Sequence, residues 1–390
     1  MTRIVAVAAT DPLDRQTFSG LSANLFEELQ RQGVVVDPIA TKDIRWLDAL
    51  GGAVVWRELL NPATRSRSRI SPDWFWSRAT CELMTRRFSR RLAELPSASH
   101  VLQIGTHVQT AGEGRRVFCL TDMTVVQAIE SGGMYQSTRA SQAIREEAIA
   151  WQREVFASCE RVFVLSDWAG RSVVEHYGQP AAKVVTVGAG ANVPKLLPPR
   201  NPDPSAPAIL FVGLDWVQKG GPLLLDAFRR VRERVPRARL VVVGCRPPGL
   251  EREPSVEVVG RLDRSRADDE ERMLQAYATA TCFCIVPSVD AFPNVLLEAA
   301  AFGLPVVSTD EGSRSEAVVH GKTGLLVPPS DPEALAAALV EVVGNPGLAT
   351  RLGSAAAQRV HERYTWPAVA RSILSYMGLA PAATRGDAGG

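Results

Sequence analysis

The chain has 390 residues, which at roughly 150 residues per domain predicts two or three domains. Apolar residues make up 46% and charged residues 22%, a composition typical of globular proteins with buried cores. The 44 Lys and Arg residues nearly balance the 42 Asp and Glu residues, and the resulting net charge of +2 argues against a dedicated nucleic-acid-binding protein.

The N-terminal sequence MTRIVAVAATDPLDRQTF has too short an apolar run for a signal peptide. No apolar stretch reaches the roughly 18 residues that a membrane-spanning helix requires. We therefore expect a cytoplasmic protein.

Short apolar runs rich in β-branched residues alternate with amphipathic stretches through the first half of the chain. A strand at 3–9 precedes a polar loop and a helix at 21–32. Further strands are predicted at 33–39, 101–105, 117–121, 161–165 and 183–187. Because strands and helices alternate, the sheet should be parallel and covered on both faces.

Residues 194–208 contain six prolines in fifteen positions and are predicted to form a linker. The same pattern then starts again. Strands are predicted at 208–213, 239–244, 256–260, 282–287 and 305–308, and helices at 222–235, 270–279 and 295–302. The sequence thus predicts two Rossmann-like domains, at 1–193 and 209–365, with ligands in the cleft where the two sheets face each other.

Cys282 and Cys284 lie two residues apart in ATCFCIVPS and would point to one face of a strand. A zinc site would need further Cys or His ligands, which the neighbouring sequence lacks. Core packing is the favoured interpretation for this pair.

The stretch at 287–312 carries the strongest chemical pattern, with Asp290 in a loop and Glu298 eight residues later in a predicted helix. The amides of Asn294 and Val295 would be unpaired at the start of that helix, which suits a phosphate group. Glu298 could accept hydrogen bonds from a ribose diol. The alternative is that Asp290 is a turn residue and Glu298 an ordinary acid near a helix N-terminus.

A second element, FVGLDWVQKGG at 211–221, predicts a strand, a loop with Lys219 and a glycine pair before a helix. The lysine could reach a diphosphate, because the glycines permit close backbone approach. A solvated surface lysine is the alternative. The chain contains no GxxxxGK[ST] sequence, so this loop is not a P-loop.

Three segments, KGGPLLLDAF, PSVDAFPNVLLEAAAFGLPVVST and SEAVVHGKTGLLVPPSDPEALAAAL, resemble the donor half of the family 4 glycosyltransferases. The similarity is strong over 208–370 and weaker over 1–193, where FSG, VFVLSDWAGRSVVEHYG and VVTVGAGAN are similar to the family's patterns. The resemblance implies the two-domain GT-B fold and a retaining, metal-independent hexosyltransferase. It also implies that a helix at 366–377 crosses back to the N-terminal domain. The composition of residues 378–390 predicts a disordered tail.

Carried over position by position, the resemblance implies that Lys219 holds the donor diphosphate, Glu298 the ribose and Asp290 the donor sugar. The Gly260–Arg261 turn would lie against the base. The implied donor-binding residues are Gly20, Gly213, Lys219, Arg261, Asp290, Phe292, Asn294, Val295 and Glu298.

The sequence departs from the family pattern at three positions. Leu214 stands where the family usually has an arginine, and Asp290 stands where it has the first glutamate of a Glu-x7-Glu pair. Asp122 stands where the first domain often has a histidine, and we expect it, with Lys219 and Asp290, in the catalytic set. His107 and Tyr135 are the acceptor-side candidates, although a lone histidine is more often structural.

No cofactor or metal is expected, because the acidic run at 268–271 is best interpreted as the solvated start of a helix. Lys219 and helix amides would instead stabilise the leaving diphosphate. The sequence contains no obvious nucleophile, which is consistent with attack of the acceptor on the face that the diphosphate leaves.

Residues 65–91 hold eight arginines against Asp73 and Glu82, interleaved with Trp74, Phe75, Trp76 and Phe88. This segment could bind an anionic acceptor or the inner face of a membrane as a peripheral contact. A solvated helix face beside core aromatics is the favoured alternative.

The sequence therefore predicts a glycosyltransferase that moves a hexose-type sugar from a nucleoside diphosphate sugar to a glycan, lipid-linked or small-molecule hydroxyl acceptor, without a nucleic-acid partner. A nucleotide-sugar epimerase of the same fold and a non-catalytic partner protein are the two alternatives. Neither the donor nor the acceptor follows from the fold.

Overall fold

The computed structural model describes residues 2–15, 20–41, 77–95, 99–110, 114–131, 142–288 and 290–379. Residues 1–189 and 366–390 cluster as unit 1, and residues 190–365 cluster as unit 2. Each unit contains one six-stranded sheet in which all strand pairs are parallel.

The helices and strands of unit 1 alternate from the first strand onward. They are β1 (Arg3–Ala8), α1 (Leu21–Arg31), β2 (Val35–Ala40), α2 (Arg78–Ala93), β3 (His100–Ile104), β4 (Arg116–Thr121), α3 (Val125–Glu130), α4 (Gln142–Ser158), β5 (Arg161–Val164), α5 (Asp167–Glu175) and β6 (Val184–Thr186). The sheet order is β2-β1-β3-β4-β5-β6.

Unit 2 repeats this alternation, and one further helix follows it in the chain. The elements are β7 (Ala208–Val212), α6 (Gly221–Arg234), β8 (Arg239–Val243), β9 (Val256–Gly260), α7 (Ala267–Thr279), β10 (Cys282–Cys284), α8 (Asn294–Ala301), β11 (Val306–Thr309), α9 (Arg314–Ala317), β12 (Gly324–Val327), α10 (Pro332–Val343), α11 (Pro346–Arg363) and α12 (Trp366–Met377). Short 3-10 helices lie at Ala181–Lys183 and Leu250–Arg252. The sheet order is β12-β11-β10-β7-β8-β9.

The central strands of each sheet form because their apolar runs are buried, whereas β6 and β9, at the sheet edges, are mostly half-buried. Five residues of β1 and all five of β7 are buried, as expected for parallel strands with helices on both faces. Cys282 and Cys284 are free thiols with no exposed surface, consistent with core packing. In the described part of the chain, no group of three or more His, Cys, Asp or Glu residues is placed to hold a metal ion.

Element boundaries differ from the sequence prediction where local chemistry shifts them. Helix α7 begins at Ala267, three residues before the predicted start, because Asp268, Asp269 and Glu270 occupy its first turn, where the helix dipole favours acids. Asp269 and Glu270 are only partly exposed and pair with arginines, so the acidic run is less solvated than expected.

The proline-rich segment at 194–208 is bonded to unit 2. Arg200 donates hydrogen bonds to the carbonyls of Gly303 at 2.5 Å and Ala280 at 2.7 Å, and the amide of Asn201 donates to Ala278 O at 2.9 Å. These bonds fix the segment against the ends of α7 and α8, so it does not behave as a free spacer.

Helix α12 belongs to unit 1 although it follows unit 2 in the chain. Its buried residues are Trp366, Val369, Ala370, Ile373, Leu374 and Met377. The side chain of Gln32 donates to Pro367 O at 3.3 Å, and Arg116 Nη1 donates to Met377 O at 2.8 Å. Both ends of α12 are thereby attached to unit 1. The described residues include no helix whose length and apolar character would let it cross a lipid bilayer.

Candidate functional site

The strand order of unit 2 reverses between β7 and β10, which are hydrogen-bonded neighbours. Residues 213–220 follow β7, and residues 285–288 and 290–293 follow β10. In open parallel sheets, ligands bind beyond the carboxyl ends of the strands at such a reversal. Two of the predicted site residues, Lys219 and Asp290, lie in these loops.

The side chains of Lys219 and Asp290 form an ion pair across the strand-order reversal. The lysine side chain is 22% exposed and the aspartate side chain 13% exposed. The amide of Val286 also donates to Lys219 O at 3.2 Å, which joins the two loops through their backbones. Gly213 leaves room for the lysine side chain, because a Cβ at this position would lie 2.9 Å from Lys219 Cγ. The structure thus brings together three residues that the sequence placed in the donor site.

Asn294 begins α8 with an unpaired side chain. The residue is 8% exposed, and neither Oδ1 nor Nδ2 has a hydrogen-bond partner among the described residues. The N-cap residue is Pro293, which supplies no side-chain cap. The amides of Asn294 and Val295 have no preceding helical turn to accept from them, whereas Leu296 N donates to Pro293 O at 2.9 Å. A buried unpaired amide side chain at a helix N-terminus is an arrangement suited to a polar, anionic ligand.

Glu298 lies on the same face of α8 as Asn294, one turn later. It is 6% exposed, and its two carboxylate oxygens have different partners. Tyr277 donates to Oε2 at 3.0 Å, and Arg264 Nη1 lies 3.6 Å from Oε1. Burial raises the pKa of Glu298, and the charge of Arg264 and the hydrogen bond from Tyr277 oppose that rise.

Arg314 is a buried cation that sequence reasoning missed. It is 1% exposed, its Nε donates to Thr309 O at 3.0 Å, and its Nη2 pairs with Glu311 at 3.0 Å. Burial lowers its pKa, and the charges of Glu311 and Asp290 oppose this effect. Next to it, Ser313 Oγ donates to Ala291 O at 2.6 Å, which holds the start of α9 against the Asp290 loop. The polar sequence DEGSRSEAV gave no signal for this burial.

Other predicted donor-side residues lie around this centre with different exposure. Phe292 is 8% exposed, with its ring centroid 6.4 Å from that of Tyr364, and Val295 is partly buried. Arg261 is exposed and follows Gly260, which has φ of 84°. Leu214 is 72% exposed and carries no charge.

In unit 1, three predicted residues follow neighbouring strands at one edge of the sheet. Gly20, with φ of 80°, lies between β1 and α1, and His107 follows β3. Asp122 follows β4, and its Oδ1 accepts a hydrogen bond from Met123 N at 2.9 Å. Because β1, β3 and β4 are adjacent and parallel, the three loops share the carboxyl edge of the sheet. Tyr135 lies outside the described residues.

The arginine-rich segment is described only from residue 77 onward. Within α2, Phe88 is 1% exposed and packs in the core, while Arg86, Arg90 and Arg91 are exposed. This arrangement agrees with a solvated helix face beside a core aromatic. Trp74, Phe75 and Trp76 lie outside the described residues.

Residues 206–345 match the family described as Glycosyl transferases group 1. This part of the chain is thus similar to the group 1 glycosyltransferases. The matched region contains Lys219, Asp290 and Glu298, and so includes the whole strand-order reversal of unit 2. The expected family resemblance is confirmed.

Comparison with individual proteins extends the similarity beyond the group 1 region. D-inositol 3-phosphate glycosyltransferase of Corynebacterium urealyticum is 30% identical over 244 residues, which cover 57% of this chain and 57% of that protein. The match thus spans little more than half of the relative's length.

Two of the similar solved structures cover nearly the whole chain. Sucrose-phosphate synthase from Thermosynechococcus elongatus superposes with a TM-score of 0.70 at 18% identity, over 97% of this chain and 98% of that one. Anabaena HepE, solved in complex with UDP and glucose, superposes with a TM-score of 0.63 at 14% identity, over 97% and 100%. The chain has the GT-B fold, as the resemblance implied.

Proposed function

We propose that the chain transfers a hexose-type sugar from a nucleoside diphosphate sugar to a hydroxyl acceptor, with retention of anomeric configuration and without a metal ion. The observation that carries this proposal is the Lys219–Asp290 ion pair at the strand-order reversal, adjacent in sequence to the unpaired start of α8. The family of residues 206–345 and the UDP bound to the structural neighbour HepE support the same donor class.

In the proposed donor site, side chains and backbone amides of unit 2 bind the three parts of the donor: its diphosphate, its ribose and its sugar. Lys219 and the amides of Asn294 and Val295 neutralise the diphosphate, and Glu298 accepts hydrogen bonds from the ribose. Asp290 accepts hydrogen bonds from the sugar. In the ligand-free pair, Lys219 and Asp290 satisfy each other, so a bound donor exchanges one internal ion pair for contacts with its own phosphates and hydroxyls.

The proposed chemistry requires no protein nucleophile. The bond between the acceptor oxygen and the anomeric carbon forms on the face from which the diphosphate leaves, through an oxocarbenium-like state. The departing phosphate oxygen takes the proton of the acceptor hydroxyl. Lys219 stabilises the negative charge that develops on this phosphate, which is the electrostatic role that a metal ion fills in other phosphate chemistry. Asp122 orients the acceptor from unit 1.

For the acceptor, we infer that a phosphate-bearing polyol is the first class to test. The relative from Corynebacterium urealyticum is named for transfer to D-inositol 3-phosphate. The exposed arginines of α2 give unit 1 a positive surface that suits an anionic acceptor. Inositol 3-phosphate, free inositol and vesicles containing phosphatidylinositol distinguish a soluble phosphorylated acceptor, a neutral one and a membrane-bound one.

The first experiment is a thermal-shift screen with UDP, GDP, ADP and their glucose, mannose and N-acetylglucosamine forms in the presence of EDTA. A ligand at 100 times its dissociation constant adds roughly 2.7 kcal/mol of stability. A selective shift with one sugar nucleotide supports the donor site and its metal independence, whereas no shift with any of them contradicts both. Nuclear magnetic resonance of the product then reads the anomeric configuration, and an inverted product contradicts the retaining mechanism.

A nucleotide-release assay separates the two alternatives. An epimerase would change or release the sugar without an acceptor, and a non-catalytic partner would release no nucleotide. We expect nucleotide release that depends on added acceptor, measured with a coupled nucleoside diphosphate assay. Leu214, 72% exposed at the position of the family's usual arginine, makes this control necessary.

A further inference from the structure

Tyr277 is a buried tyrosine whose hydroxyl points at a carboxylate. The residue lies on α7 and is 2% exposed, and its ring stacks on Phe302 at 4.9 Å and on Phe283 at 6.2 Å between centroids. Packing alone would be served equally well by phenylalanine, because the ring contacts are apolar. The hydroxyl group instead donates to Glu298 Oε2 at 3.0 Å.

The second oxygen of Glu298 has its own partner, which is itself fixed. Arg264 Nη1 lies 3.6 Å from Oε1, and the same guanidinium pairs with Glu270 at 2.7 and 2.9 Å. Its Nη2 also donates to Asn192 O at 3.2 Å. The carboxylate of Glu298 is therefore held from both sides, by a phenol that approaches one oxygen and a guanidinium that approaches the other.

With these partners in place, the Glu298 carboxylate can still accept hydrogen bonds from a ligand. An ionised carboxylate offers about four lone-pair sites. The Tyr277 hydroxyl occupies one site on Oε2, whereas Arg264 Nη1, at 3.6 Å, pairs with Oε1 through its charge and lies beyond hydrogen-bonding distance. At least one acceptor site therefore remains on each oxygen. Two acceptors in one plane match the two adjacent hydroxyls of a ribose.

We propose that Tyr277 is a positioning residue for the donor: its hydroxyl fixes the rotation of the Glu298 carboxylate so that the remaining lone pairs meet the ribose diol. The inference rests on the proposed function, since it requires that Glu298 bind the ribose of a nucleoside diphosphate. Without the phenol, the carboxylate turns about its terminal bond and pairs more closely with Arg264.

The charged groups around Glu298 give this role a pH signature. Burial raises its pKa, Glu270 adds to the rise, and Arg264 and the Tyr277 hydroxyl lower it. Tyr277→Phe removes one of the two lowering contributions, so the pKa of Glu298 increases further. Ribose binding requires the ionised carboxylate of Glu298. The acidic limb of the pH dependence of nucleotide binding therefore moves to higher pH in Tyr277→Phe.

The test is calorimetric titration of the full chain with UDP, GDP and ADP, followed by the 2′,3′-dideoxy form of whichever binds. For Tyr277→Phe we expect roughly tenfold weaker binding of the ribonucleotide, because the misoriented Glu298 carboxylate loses one hydrogen bond to the ribose, and unchanged binding of the dideoxy nucleotide. Tyr177→Phe is the matched control. Tyr177 is also 2% exposed, and its hydroxyl accepts a hydrogen bond from Val126 N at 3.2 Å in unit 1.

Three results would overturn the proposal. If Tyr277→Phe weakens the binding of both nucleotides equally, Tyr277 is a packing residue. If the affinity and the pH dependence of binding are both unchanged, its hydroxyl has no role in donor binding. No binding of any nucleoside diphosphate by the wild-type chain would remove the proposed function itself, which distinguishes that failure from the first two. If Tyr277→Phe does not fold, Arg264→Gln tests the other oxygen, and we expect the same selective loss for the ribonucleotide.

Discussion

Gly220 approaches Val286 so closely that a side chain does not fit between them. A Cβ at Gly220 would lie 1.9 Å from the carbonyl oxygen of Val286, and φ at Gly220 is 78°. This contact joins the residue after Lys219 to the strand end before Asp290. The ion pair of the candidate donor site is thus set by a backbone contact in addition to the charges of the two side chains.

Gly220→Ala should therefore destabilise unit 2 and separate the two loops. The left-handed conformation alone costs about 1–2 kcal/mol for a residue with a Cβ, and the clash with Val286 adds to this. Gly249→Ala is the control, because Gly249 has φ of 82° and a Cβ there would meet nothing within 4 Å. Denaturant unfolding should show the larger loss for Gly220→Ala, and equal losses would contradict the importance of the contact.

Lys219→Met should lower kcat/KM for the sugar nucleotide by roughly 100-fold, because the developing phosphate charge loses its cation. The exposed Lys195 provides the control, and Lys195→Met should leave kcat/KM unchanged. Steady-state kinetics with one donor compares the two. Similar rates for both variants would mean that Lys219 does not act on the diphosphate.

Asn294→Leu should stabilise the fold and weaken the binding of the donor. A buried amide without partners is replaced by an apolar side chain of similar shape, so the free energy of unfolding should rise by about 1 kcal/mol. Asn345→Leu makes the same substitution at a helix N-cap whose Oδ1 accepts from Leu348 N at 3.0 Å, and should cost about 1 kcal/mol. Thermal unfolding and nucleotide titration read both effects. A destabilised Asn294→Leu would mean that the amide has a structural role.

Nucleotide affinity should fall on acidification at a pH above that of an ordinary glutamate, about 4.3. Because burial raises the pKa of Glu298, this carboxylate becomes protonated at a higher pH than an ordinary glutamate does. The protonated carboxyl group accepts fewer hydrogen bonds from the ribose. The folded state binds this proton more tightly than the unfolded chain, so the contribution of Glu298 to stability decreases as pH rises from its ordinary to its raised pKa. Glu298→Gln should abolish both trends, and an unchanged acidic limb in that variant would assign the titration to another group.

The sequence predicted the alternation of strands and helices well, because fully buried parallel strands appear as short β-branched runs. The terminal helix Trp366–Met377 has the predicted bounds. Loop chemistry predicts both Lys219 and Asp290 as site residues, and the structure pairs their side chains although they lie 71 positions apart. The two positions meet because they follow β7 and β10, which are neighbouring strands in the sheet.

The partners of Glu298 and the buried Arg314 could not be predicted. Tyr277 falls at helical spacing with Met273, a pattern that favours a core position for the ring and carries no information about the hydroxyl. Arginines are mostly exposed, and nothing in the sequence around Arg314 distinguishes it from a surface residue. These roles depend on contacts between elements distant in sequence, which periodicity does not encode.

The return of α12 to unit 1 determines the order in which the protein can be completed during synthesis. Unit 2 is one continuous segment, 190–365, and all of its contacts exist once that segment has left the ribosome. Unit 1 is made first but must wait for Trp366–Met377, and until then the surface that this helix buries, including the side next to Phe163, stays open. The unit that begins the chain is therefore the last to finish folding.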